Sequence, residues 1–472
     1  MLAILALICI TLILMSGVGR ADTPPFALHP DNPHVFLFRG EPTLLITSAE
    51  HYGAVLNLDF DYAKYLDTLA ADGMNHTRMF VGAYCEPDGA FKIARNTLAP
   101  AAGRFICPWA RSDQPGYANG GNKFDLSRWD EAYFARLRDF VSRASERGIV
   151  IEINLFCPFY GEEQWVLSPM NARNNVNDLG TVSKDAAYTL DGHGGLLAVQ
   201  EAMVRKVVGE LQGFDNIYYE VMNEPYIRKV PRDWEHHIVD VIVAAEAGPA
   251  HRHLISMNIA NHQAKVEDPH PAVSLFNFHY AFPPVTVAMN YALGRALGDN
   301  ETGFSGTSDA RYRMEAWAFI LAGGALYNNL DYSFTVGHED GSFAYPDTQP
   351  GGGSKALRRQ LRALAEFMRA LDFVRMSPHA ELVQGLPEGV SAQALAEPGK
   401  QVAVYLYRPE AAAWGRSARV ALALPAGAYR GCWVDCETGI TTEFAFEHAG
   451  GEKSLPSPAF THDVALRIAA AD

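Results

Sequence analysis

The chain reads as a (β/α)8 barrel followed by a small antiparallel β-sandwich. Three observations predict this. Strand-like apolar runs and amphipathic helical stretches alternate from about residue 43 to residue 371, which implies a parallel sheet. The number of strand–helix pairs fits eight, a closed barrel, and no Gly-x-Gly-x-x-Gly follows the first strand, which argues against an open dinucleotide-binding sheet. Beyond about residue 378 the period becomes two. Val402, Val404 and Leu406 alternate with polar or small residues, as do Val420, Leu422 and Leu424 and later Val464, Leu466 and Ile468.

The elements follow in order. His34–Phe38, the turn Arg39-Gly40-Glu41-Pro42 and Thr43–Thr47 predict a hairpin leading into the first barrel strand. Asp59–Asp72 is helical and stops at Gly73; 75–81 is a strand. Ser127–Arg147 places Trp129, Tyr133, Leu137, Phe140 and Ala144 at helical spacing, and 149–156 is a buried strand. Helices at 196–211 and 232–247 alternate with strands at 217–222 and 254–259. The fifth unit is the weakest, because Ala260–Pro271 holds little helix. A strand at 273–278, a helix at 285–297, a short strand ending near Glu301, a helix at 309–321, a strand at 325–330 and a last helix capped by Ser354 complete the barrel. The expected division is a signal peptide at 1–21, the barrel at 22–375 and the sandwich at 378–472.

The N-terminal expectation rests on the apolar run Leu2–Leu14, a more polar stretch at 16–20, and small Gly19 and Ala21 at a cleavage position. No Lys or Arg precedes the run, so an uncleaved anchor is the competing reading. Cleavage implies a secreted or periplasmic protein. The formal charge of −15 argues against nucleic acid and anionic membranes as partners and is compatible with a neutral carbohydrate. Of six cysteines, Cys9 would leave with the signal and five cannot all pair. Cys85 and Cys107 flank one loop and could bridge, and Cys432 and Cys436 read as packing residues. The sequence leaves oligomeric state open and carries no cofactor motif. It has no His-Glu-x-x-His, Gly-x-Ser-x-Gly or phosphate-binding loop.

Reactive groups of such a barrel sit at the C-terminal ends of its strands. Two acids occupy such ends: Glu224 in Tyr218-Tyr219-Glu220-Val221-Met222-Asn223-Glu224-Pro225, and Glu301 in Asp299-Asn300-Glu301-Thr302-Gly303-Phe304. Glycoside hydrolysis needs such a pair, one acid protonated to release the leaving oxygen and one ionised to attack the anomeric carbon or activate water. Arg78, near the end of the second strand, is placed to keep one carboxylate ionised, or to pair with Glu220 inside the barrel. Glu152 and Glu220 are rival acids that lie deeper. Tyr84, Trp109, Tyr117, Phe159, Tyr160 and Trp165, on two long loops, either stack on sugars or anchor the loops to the rim.

Asn223-Glu224-Pro225 on the fourth strand, Glu301-Thr302-Gly303 on the seventh and Arg78 on the second resemble clan A glycoside hydrolases, most closely the cellulase family (glycoside hydrolase family 5), over roughly residues 30 to 375. The resemblance implies a retaining hydrolase of β-linked glycans, with Glu224 as acid/base and Glu301 as nucleophile. It also implies that Arg78 orients Glu301, that Asn223 meets the sugar 2-hydroxyl, and that His279 and Tyr280 bind substrate. The family's His-x-Tyr after the sixth strand is here His279-Tyr280-Ala281, with Ala281 in the Tyr position; Cys157 stands where the third strand usually ends in His; and the eighth strand lacks the usual Trp. A carbohydrate-binding protein that kept the barrel and lost turnover is the reading from another class. The spacing of the two carboxylates separates the two.

Overall fold

A computed structural model describes residues 24–247, 252–409, 415 and 417–471. The expected signal segment at 1–21 lies outside them. Among the described residues no helix is long and apolar enough to cross a membrane.

Eight parallel strands form the barrel: β1 (Leu45–Ala49), β2 (His76–Phe80), β3 (Val150–Phe156), β4 (Ile217–Met222), β5 (Ile255–Asn261), β6 (Leu275–His279), β7 (Ala296–Thr302) and β8 (Leu326–Leu330). Each pairs with its successor from β2 onward, and β8 pairs with β1. A side chain spans the remaining seam: Asn75 Nδ2 donates to the Leu44 carbonyl at 2.8 Å and its Oδ1 accepts from Ile46 N–H at 2.9 Å. The N-terminal hairpin (Asn32–Phe38 with Glu41–Thr43) turns through Arg39 and Gly40, both at positive φ. With Phe26 it buries Phe36 and Phe38 against Leu45, Val150, Tyr218, Leu275 and Leu326, an apolar plug at the strand starts.

The outer helices are α1 (Tyr62–Asp72), α2 (Glu131–Glu146), α3 (Leu196–Leu211), α4 (Arg232–Ala245), a short α5 (Val285–Asn290), α6 (Asp309–Leu321) and α7 (Lys355–Arg369). Asp61, Asp130 and Ser354 cap three of them by accepting first-turn N–H groups, and Gly73 ends α1 at φ 82°. No helix follows β5 among the described residues, as the weak pattern there predicts. Two predicted helices are too long. Ser127 to Trp129 belong to a loop hairpin (Trp109–Pro115 with Asn122–Trp129), and the helix starts only after the Asp130 cap. The helix predicted at 285–297 stops at Gly294, φ 59°, and Ala296 and Leu297 enter β7.

The C-terminal strands are β9 (Ser391–Glu397), β10 (Gln401–Tyr407), β11 (Arg419–Asp435), β12 (Thr441–Pro456) and β13 (Asp463–Ala470), with two short flanking strands. The first half of β11 pairs with the flanking strand at 383–384 and its second half with β13, so the long β11–β12 ribbon passes from one layer to the other. Val404, Leu406, Val420, Leu422, Leu466 and Ile468 share one core between the layers, a small antiparallel sandwich. It docks on α6 and α7: Arg313 forms a forked ion pair with Asp463, 2.8 Å at its shortest, and Trp317 stacks on Tyr405. Cys85, Cys107, Cys157, Cys432 and Cys436 are buried free thiols, so Cys85 and Cys107 do not bridge.

Candidate active site

The barrel axis is filled by charge rather than by branched hydrocarbons. Arg78 on β2 lies against the stacked rings of Tyr52 and Phe80 and is fully buried. Its guanidinium donates to Glu152 on β3, Glu220 on β4, Asn223 Oδ1 (2.8 Å) and Glu301 Oε2 (3.3 Å). Arg78 therefore contacts Glu301 and Glu220 at once. Amides complete the network: Asn154 and Asn277 donate to Glu220, and Asn300 donates to both Glu152 and Glu220. Burial pushes Glu220 up to about 7 in spite of Arg78, and the Glu152 charge adds to the push. For Glu152 burial pulls the same way, but Arg78 and His76 outweigh it and hold the carboxyl below its usual value. These two acids carry no exposed surface and act within the barrel wall.

Glu301 owes its direction to a break in strand alternation. Asp299 and Thr302 point outward to Glu315 on α6, whereas Asn300 and Glu301 both turn to the axis. Two consecutive inward residues require a bulge, and the ladder slips here on both sides, between Phe278 and His279 against β6 and between Asp299 and Thr302 against β8. Glu301 Oε1 accepts from Tyr280 O–H at 2.8 Å and Oε2 from Tyr52 O–H at 2.9 Å.

Glu224 follows β4 in the left-handed region, φ 39°, a strained conformation for a residue with a Cβ. Its N–H is held by Asn258 Oδ1 at 3.0 Å, and Pro225 starts a short helix immediately after it. Tyr160 O–H donates to Glu224 Oε2 at 2.6 Å and accepts from Asn223 Nδ2 at 2.8 Å. His279 Nδ1 stands 3.1 Å from Glu224 Oε1 and 3.5 Å from Glu301 Oε1. Oxygens of the two carboxylates lie within 4.8 Å of each other. Burial alone would raise Glu224, but the His279 ring and the Tyr160 hydroxyl outweigh it and hold the carboxyl below the usual range. Burial likewise works against the His279 cation, and the charges of Glu301 and Glu224 overcome it and draw the ring upward. Its Nε2 meets no acceptor, so a second N–H there gains no hydrogen bond.

The structure thus brings Glu224, Glu301, Arg78, Asn223, His279 and Tyr280 into one mouth. Arg78 and His279 are wholly buried and reach carboxylates instead of the open space a sugar would fill. Tyr280, at φ 54°, swings its hydroxyl to Glu301 although Ala281 stands in the expected Tyr position. Tyr52 and Asn258 escape the sequence reading. The signal for Tyr52 is the polar and aromatic cluster Glu50-His51-Tyr52 just past β1. Of the loop aromatics, Tyr84, Trp109, Tyr117, Phe159 and Trp165 are buried and anchor their loops, whereas half-buried Tyr160 reaches Glu224. The spacing of Glu224, His279 and Glu301 would admit a cation, but one there would stand against the Arg78 guanidinium.

No protein-family model and no curated protein matches the chain. Solved structures do. A Bacteroides vulgatus ATCC 8482 protein, provisionally described as a glycoside hydrolase, superposes with a TM-score of 0.65 at 14% identity, covering 96% of this chain and 83% of its own. A glycoside hydrolase family 5 protein from the same organism gives 0.64 at 14% identity over 94% and 93%. A third, described as a glycoside hydrolase, gives 0.62 at 14% over 95% and 97%. Barrel and C-terminal domain together, the chain has the fold of these glycoside hydrolases.

Proposed function

We propose that the protein is an exported retaining glycoside hydrolase acting on β-linked carbohydrate. The observation that carries this reading is the pair of carboxylates, Glu224 and Glu301, within 4.8 Å on strand ends at the barrel mouth. A separation near 5 Å suits direct attack by one of them, and an inverting pair needs roughly 6.5–9.5 Å to admit a water.

Glu301, steadied by Arg78, Tyr52 and Tyr280, attacks the anomeric carbon while Glu224 gives its proton to the departing glycosidic oxygen. The bond to that oxygen breaks and a glycosyl ester forms on Glu301. Water then gives a proton to Glu224 and its oxygen to the anomeric carbon, which frees Glu301 and restores the configuration. Before substrate binds, the proton shared across the Glu224–His279 contact lies toward His279. A bound sugar expels water, and a drier site favours the neutral pair over the ion pair. The proton then moves from His279 Nδ1 to Glu224 Oε1, which leaves the neutral ring with its N–H on Nε2. Asn223, fixed by Arg78 and Tyr160, is the group we assign to the sugar 2-hydroxyl.

Azide rescue tests the assignment. With an activated aryl β-glycoside, Glu224→Ala should still form the ester and give a β-glycosyl azide after two inversions. Glu301→Gly should give the α-azide after one. NMR of the products reads the configuration. The opposite pattern would exchange the roles, and undiminished turnover in both variants would remove the pair.

A further inference from the structure

Two aromatic side chains at the barrel mouth take no part in the chemistry above. Phe91 follows β2 and Phe304 follows β7; each is 40% exposed, yet their rings meet edge to face at 6.4 Å. Phe91 also packs edge-on against Tyr160 at 5.4 Å, and Phe304 against Tyr280 at 6.4 Å and Tyr332 at 6.3 Å. A row of rings therefore runs from the tyrosine that bonds Glu224 to the tyrosine that bonds Glu301. Beneath it the two carboxylates are only 8% and 5% exposed.

The row divides the mouth unequally. In the barrel order, β1 and β8 lie between β2 and β7 on one side, and β3 to β6 on the other. Glu224 follows β4, so the leaving group that takes its proton departs on the β3–β6 side. The remainder of the sugar chain would have to extend beneath the row toward β8 and β1. That side is walled. Gln349, in the loop after β8, accepts from Ala94 N–H at 3.0 Å, and Arg95 covers the Phe343 ring at 5.2 Å, which braces the Phe91 loop. In the same loop Gly351 packs so closely on Gly303 that a Cβ there would come within 1.6 Å of the Gly303 carbonyl, which braces Phe304. Phe91, Lys92 and Arg95 all have φ between 52° and 64°, a region that side chains avoid unless the surroundings impose it. On that side His51 packs edge-on against Tyr332 at 6.0 Å and Asn96 donates to Glu86, and these buried polar side chains suit the hydroxyls of a terminal sugar better than a continuing chain.

We infer that the Phe91–Phe304 contact makes the site a blind pocket for one sugar unit, so that the enzyme removes terminal residues from the non-reducing ends of β-linked chains rather than cutting inside them. The inference rests on the proposed glycosidase reading and fixes its mode of attack.

The test uses the full chain with 4-nitrophenyl β-1,4-linked biosides of glucose, mannose and xylose, beside the corresponding monosides, with products separated by chromatography. Wild type should free a monosaccharide and leave the 4-nitrophenyl monoside. Phe91→Ala with Phe304→Ala should open the pocket and release intact bioside with 4-nitrophenol, raising the bioside-to-monosaccharide ratio about tenfold or more. Phe91→Leu, which keeps an apolar side chain, should fall between and serves if the double variant does not fold. Intact bioside as the main wild-type product, or a ratio unmoved in the variants while monosides are still cleaved, would overturn the pocket and leave the glycosidase reading standing. Inertness of wild type toward every bioside and monoside would overturn both.

Discussion

At the centre of the barrel Arg78 is ringed by Glu152, Glu220 and Glu301 and by the amides of Asn154, Asn277 and Asn300. At the centre of the sandwich Val404, Leu406, Val420, Leu422 and Leu466 lie against one another. Both interiors are buried, but they fail differently. An apolar core loses in proportion to the volume removed, and its neighbours relax partly into the gap. A charged network loses in steps, because deleting one member leaves another buried without a partner. The barrel accepts that fragility where it holds the carboxylates proposed to react, and the sandwich, which contributes none of them, avoids it.

The largest effect should come from Arg78→Met. Three carboxylates would then face one another without their cation, and the variant should lose about 3–5 kcal/mol or fail to fold. Adding Glu220→Gln should restore part of the loss in urea unfolding; no recovery would mean that the network acts as shape rather than charge. On the sandwich side, Leu422→Ala should cost about 2–5 kcal/mol by the same measurement. Turnover per folded molecule should stay unchanged well below the melting temperature, and a fall in kcat would break the separation of roles.

Glu235 on α4 sharpens the contrast, since it is buried with one oxygen unpartnered. Burial raises it from 4.5 to about 8. The folded state therefore holds this proton more tightly than the unfolded chain. Its favourable contribution is complete below 4.5 and is lost as pH rises through about 8. Glu235→Gln cannot ionise, so its stability should fall less across that window and exceed wild type by about 1–3 kcal/mol at the alkaline end. Parallel stability–pH curves would refute this. The smallest effect is expected of Tyr160→Phe. With one hydrogen bond to its charged form removed, Glu224 should hold its proton to higher pH in the substrate-bound enzyme, and the basic limb of kcat should move up by about one unit with little change in melting temperature. A limb that stays in place would separate Glu224 from the acid role.

Much of this was legible in the chain because alternation and capping are local. Asp309–Leu321 and the Ser354 cap can be read residue by residue, and Asn223-Glu224-Pro225 and Glu301-Thr302-Gly303 mark two strand ends. What escaped depends on backbone that no periodicity encodes. Tyr280 reaches Glu301 through a left-handed residue, so counting positions from His279 points to Ala281 instead. Tyr52 arrives through another such residue, φ 60°, past the end of β1. The helix predicted at 285–297 ran over Gly294 because Ala296 and Leu297 suit either structure until β6 claims them as ladder partners. The sandwich was recognisable from its period of two, but the passage of β11 between layers depends on pairings distant in sequence.

The offset at Asn300 and Glu301 bears on any attempt to transplant this site. Asp299 and Thr302 face out, and the two residues between them face in. A designer who copied the acid onto a regular strand, one inward residue in every two, would have to choose. Glu301 placed at the Asn300 level would bring a third carboxylate against Glu152 and Glu220, and placed one step later it would look into the helices. The graftable unit is therefore the irregular pair together with its slipped partners on β6 and β8. Libraries that vary side chains on a fixed backbone would never discover it, whereas libraries that insert or delete single residues at strand ends could.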